Sequence, residues 1–142
     1  MTARRAVLLV VVVVLAIGCR SNSSNVSGIS GVNGVRVPAT QLVKAMTGLC
    51  TARDQAATQP DAAKTTFFDN SHQAIHDIAA ALERTDRSAS STLLVAKQKV
   101  EADLDATPPG PSLVADLDRL ASVTHDSLDR LHVTAAPCPS SP

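Results

Sequence analysis

Four histidines carry most of the reactive chemistry in this sequence, and they fall as two pairs. His72 and His76 are four residues apart, and His125 and His132 are seven apart. A carboxylate precedes one member of each pair, in Asp69-x-x-His72 and Asp129-x-x-His132. On α-helices both spacings put the two rings on one face. Imidazoles one turn apart are good ligands for zinc, copper or iron, so one reading is an exported metal- or haem-binding protein using His72 and His76. The competing reading is structural. Measured from the apolar centre of its helix, His72 lies about 60° round and the other three about 80–100°. Those are boundary positions, where a ring packs while one nitrogen stays wet. A ferritin-like di-metal centre wants inward carboxylates from all four helices and Glu-x-x-His motifs, and the first and third helical segments offer none. Cys-x-x-Cys-His does not occur, which excludes covalent haem attachment.

Catalytic and nucleic-acid chemistry find less support. No Gly-x-Ser-x-Gly elbow and no glycine-rich phosphate loop occurs, and Ser140 and Ser141 have no identifiable base. Cys50 as a thiol nucleophile competes with its use in a disulfide. The chain is therefore read as a non-enzyme that needs no cofactor, unless the histidines take a transition metal. Phe67 and Phe68 are its only aromatic residues, and the charged residues form no basic stripe. Nucleic-acid binding is not expected. The two phenylalanines read as core, with Phe68 on a helical stripe and Phe67 on its flank.

The elements that would position these residues are all helical. From Ala39 to Ala57, Leu42, Val43, Met46, Leu49, Cys50 and Ala57 share one arc, with Arg53 on it as a snorkelling side chain. Pro60 and Asp61 suit the first turn of a second helix, about 61–84, with Lys64, Phe68, Ser71, Ile75, Ile78 and Leu82 as its central stripe. Thr85-Asp86 offers an N-cap for a third helix over 87–106. There Leu93, Ala96, Val100 and Leu104 face inward, while Lys97, Lys99, Glu101, Asp103 and Asp105 solvate the other side. Thr107-Pro-Pro-Gly-Pro111 ends it. A fourth helix over 112–133 carries Leu113, Leu117, Leu120, Leu128 and Leu131, with Asp116 and Asp118 complementing its dipole. Four helices with short links predict an all-α domain over 38–138, an antiparallel up-down four-helix bundle, with 139–142 as a disordered tail. In a simple square bundle the second and fourth helices lie diagonally, so the two histidine pairs need not meet.

The amino terminus says where such a domain resides. Met1-Thr-Ala-Arg-Arg5 precedes an uncharged apolar run, Ala6 to Ile17, and then Gly18-Cys19. That is a signal-peptide pattern, and the run is short against the roughly 20 residues of a spanning helix. Leu15-Ala16-Ile17-Gly18-Cys19 resembles the lipobox of bacterial lipoproteins. The resemblance covers only these residues. It implies cleavage of the signal peptide 1–18, diacylation of Cys19, and anchoring on the extracytoplasmic face of the cell membrane, which two acyl chains make stable. Residues 19–37, rich in Gly, Ser and Asn, then read as a flexible tether with a reach of about 25 Å. Losing Arg4 and Arg5 with the signal leaves 11 basic against 13 acidic side chains.

With Cys19 assigned to lipid, Cys50 and Cys138 remain as an even pair, which in an oxidising compartment reads as a disulfide. Closing that loop contributes about 4–5 kcal/mol in the chain-entropy model. Cys50 lies about 16 Å along the first helix, so the tail after Val133 must fold back along it to bring Cys138 within reach. The expected function is a non-catalytic binding or accessory module of the envelope. Its partners would be the membrane, through the lipid, and another envelope protein or a small ligand.

Overall fold

Pro38 locks its own φ and lacks a backbone donor, and the first helix starts directly after it, α1 at Ala39–Ala56. The computed structural model describes residues 28–140. The signal segment, Cys19 and the first part of the expected tether lie outside the described residues. A second rod is built from α2 (Pro60–Phe67), one π-helical turn (Phe68–His72) and α3 (Gln73–Leu82). Then follow α4 (Arg87–Asp105) and α5 (Leu113–Arg130). The domain is thus mostly helical, with four rods. The α1 rod packs on α2 and α5, and α4 packs on α3 and α5. Among the described residues no helix is long and apolar enough to cross a membrane.

Leucine and alanine make the core. Leu42, Leu49, Ile75, Ile78, Leu82, Leu93, Leu117, Leu120 and Leu128 are fully buried, and Phe67 is the largest side chain among them. Asp86 caps α4 as its sequence position predicts, accepting from Ala89 N at 3.0 Å. The stripe of the second rod differs from the sequence pattern before the π turn. Ala63 and Phe67 are buried there, not Lys64 and Phe68; Phe68 is 37% exposed, and Lys64 reaches out to Asp105. A π turn takes in one extra residue, so every position before it shifts by one in helical phase. A uniform 100° step cannot register that shift.

Residues 28–37 also depart from the expected coil. Ile29–Ser30 (β1) pairs antiparallel with Arg36–Val37 (β2), with Ile29 opposite Val37 and both buried. Each strand is two residues long, too short to display a period-2 pattern. The intervening loop is pinned to α3: Val32 N donates to the buried carboxylate of Asp77 at 2.9 Å, and Gly31 N donates to Val35 O at 2.9 Å. A Cβ at Gly31 would run into that carboxylate. Gly34 turns the loop with φ 74°, beside Asn33 at φ 57°.

Close approach of α1 to the π turn depends on Gly48. A Cβ there would meet Ser71 Oγ at 2.6 Å and Asn70 Cβ at 2.7 Å. Ser71 is itself buried and donates to Ala45 O on α1 at 2.8 Å. Replacing Gly48 by Ala gains up to about 1 kcal/mol of helix propensity. It also forces apart a packed contact, at about 1–3 kcal/mol. The collision wins, because Asn70 Cβ cannot rotate away and Ser71 would lose its bond. Gly48→Ala is therefore expected to cost about 1–2 kcal/mol of stability, read as a lower denaturant midpoint. An unchanged or raised midpoint would mean that the two rods separate freely.

Candidate functional site

The structure brings His72 and His76 together. Their rings meet edge to face at 4.9 Å between centroids, and the Phe68 ring lies 5.2 Å from that of His72. His72 Nε2 lies 2.9 Å from Glu101 Oε1 on α4, and Lys97 Nζ bonds the same oxygen at 2.7 Å. Lys97 is buried, where the sequence pattern put it among solvated residues. Its butyl stem packs in the core, and one turn along the helix Glu101 meets its ammonium. His72, Glu101 and Lys97 thus tie the π turn to α4. A cation already sits on the carboxylate that would otherwise assist a metal at His72 and His76. Among the described residues no three His, Cys, Asp or Glu side chains gather into a group that could hold a metal ion.

The second histidine pair is separated by the end of its helix. Regular α5 stops at Arg130, and His132 adopts a left-handed φ of 58°. His132 N donates to Asp129 O at 3.0 Å and Val133 N to Leu128 O at 2.9 Å. This is a Schellman ending, normally built on Gly, with Val133 buried beneath it. Asp129 stands nearest His125, at 3.7 Å from Nδ1, and Asp126 lies 3.8 Å from the same atom. The expected Asp129–His132 pairing along one face fails because the helix ends before His132.

That ending aims the tail along α1. Val133 and Ala135 are buried, and Cys138 joins Cys50 in a disulfide across 88 residues of sequence. Beyond it, Pro139 O accepts from Arg53 Nη1 at 2.8 Å. Arg53 does not snorkel; it is 6% exposed. Its other bonds go to Asp54 Oδ1, at 2.7 and 2.9 Å, and to Asp118 Oδ1 on α5 at 3.3 Å. The bond to Asp54 above all holds its pKa above the ordinary value, against the opposing effect of burial. One guanidinium therefore joins α1, α5 and the tail. Pro139, expected in a disordered tail, is held by it. Two grooves border this strap. One, of about 360 Å³, is lined by Arg53, Asp118, Ser122 and His125; the other, of about 340 Å³, by Val43, Met46, Thr47 and Cys50.

Spacing alone pointed to the histidines and cysteines and missed Lys97, Glu101 and Arg53. For Arg53 a signal existed, since it shares the apolar arc of α1. Lys97 sits four after Leu93 and three before Val100, which also marks it as core-facing. No family model, curated protein or solved structure matches the chain.

The His76 imidazolium is disfavoured, its pKa pushed below the ordinary 6.5 first by burial, then by the positive charge of Lys97 and by neighbouring His72, against the pull of Glu101 and Asp77. The unfolded chain then takes up a proton more readily than the folded one. The neutral ring's contribution is complete above the unfolded value and is lost as pH falls from about 6.5 towards the lower folded value. Thermal unfolding at pH 7.5 and 5.5 checks this: the wild type should lose more stability on acidification than His76→Gln. Parallel losses would remove His76 from the pH dependence.

Proposed function

We propose that this chain is a lipid-anchored protein of the bacterial cell envelope. Its signal peptide is cleaved before a diacylated Cys19, and its four rods run as an antiparallel up-down bundle exposed outside the cytoplasm. The bundle serves as a non-catalytic binding or accessory module for another envelope protein or a small ligand. The observation that carries this reading is the Cys50–Cys138 disulfide. Such bridges persist in oxidising compartments, which is where the resemblance of Leu15–Cys19 to a lipobox would send the chain. The buried charged groups support a non-catalytic role: Lys97 is engaged with Glu101 one turn along α4, and Arg53, bonded to Asp54, Asp118 and Pro139, ties α1 to α5 and the tail. The grooves beside the strap fall at the lower end of the size range of small-molecule sites.

Metabolic labelling with palmitate in a bacterial host tests the anchor. The full chain is expected to incorporate label and sediment with membranes, while Cys19→Ser incorporates none and is released. A label retained by Cys19→Ser, or a wild-type chain that takes up none, contradicts the proposal.

A further inference from the structure

Isolated exposed valines are ordinary on a protein surface and need no explanation. Val32 and Val35 differ in where they are held. They occupy one loop and are 37% and 64% exposed. That loop is kept rigid by the bond from Val32 N to buried Asp77, by Gly31 N on Val35 O and by the pairing of β1 with β2. The same hairpin carries two guanidinium groups. Arg36 is exposed opposite Ser30 in the ladder, and Arg84 reaches across from the end of α3 to donate to Ser30 O at 3.1 Å. Among the described residues neither arginine takes part in an ion pair. Neighbouring Glu83 is held by Arg87 at 2.7 Å, and Asp77 is buried under the loop. The hairpin region thus presents two exposed apolar side chains and two guanidinium groups that form no ion pair among the described residues.

The occupant follows from the course of the chain. Gly28, at the root of this hairpin, is nine residues after Cys19. A stretch of that length reaches at most about 30 Å. With Cys19 acylated, the hairpin is the part of the folded domain tied nearest to the bilayer. We infer that Val32 and Val35, with Arg36 and Arg84, seat this hairpin on an anionic phospholipid surface, so that the anchored domain docks in one orientation. The inference rests on the lipid-anchor reading above. Two valines would bind a membrane poorly from solution. A short tether turns the contact into an intramolecular one, at an effective concentration on the order of millimolar, where a weak patch suffices. The guanidinium groups favour anionic headgroups through the surface potential.

The test uses the full acylated chain in vesicles. With Cys19 acylated and Cys50 bonded to Cys138, a single introduced thiol takes an environment-sensitive fluorophore, at Val35→Cys or at Val114→Cys. Val114, on the first turn of α5, is also 37% exposed and serves as the reference site. In phosphatidylglycerol-containing vesicles the probe at position 35 is expected to shift to the blue and to be quenched by nitroxide-labelled lipid, while the probe at 114 does neither. Arg36→Glu, or vesicles of phosphatidylcholine alone, should abolish the shift at position 35. Intact mass reads the acylation in the same sample. An acylated chain whose two probes respond alike overturns the docking and leaves the anchor standing. A chain without acyl mass overturns the anchor reading and the docking with it.

Discussion

The disulfide between Cys50 and Cys138 is the constraint on which this fold depends. It fastens the last described segment of the chain to the middle of α1, across 88 residues of sequence. Around it the interactions are short-range and small. Val133 and Ala135 bury under the strap, and Arg53 draws α1, α5 and Pro139 together. The core these elements enclose has one buried phenylalanine and many alanines, so each residue removes little apolar area from water. A covalent closure acts on the other side of the balance, by narrowing the unfolded ensemble.

Several buried or half-buried polar groups do a second kind of work, setting how the rods lie against one another. Ser71 fixes the π turn to α1, Ser90 donates to Ala79 O between α4 and α3, and Glu101 is shared between His72 and Lys97. Each bond is modest, but a partner removed leaves a buried group unsatisfied, which costs more than the bond contributes. The histidine pair belongs to this framework. Its edge-to-face rings and carboxylate partner hold α4 to the second rod at a point where the helix geometry has been altered by the π turn.

Much of the helical framework was legible from residue order. Caps, prolines and apolar spacing located the four rods to within a few residues, and cysteine number in an export context paired Cys50 with Cys138. What escaped did so for physical reasons. The π turn shifts the phase of the second rod, so Phe67 and Phe68 exchange roles. Two-residue strands carry no periodicity, so the hairpin at 29–37 looked like coil, although Ile29 and Val37 were its buried anchors. His132 stands in a left-handed helix ending usually given to glycine, so the helix appeared to continue through it. Lys97 and Arg53 are long amphipathic side chains whose burial depends on partners adjacent (Asp54), one turn away (Glu101) or distant in sequence (Asp118, Pro139), and composition does not reveal those partners.

Equilibrium unfolding of residues 28–142, comparing the oxidised chain with Cys50→Ala/Cys138→Ala, tests the dependence on the disulfide most directly. The loop length predicts a loss of about 4–5 kcal/mol, a large share of the stability of a domain this size. Superimposable unfolding curves would contradict it, and would mean that the helical core stands without its covalent strap.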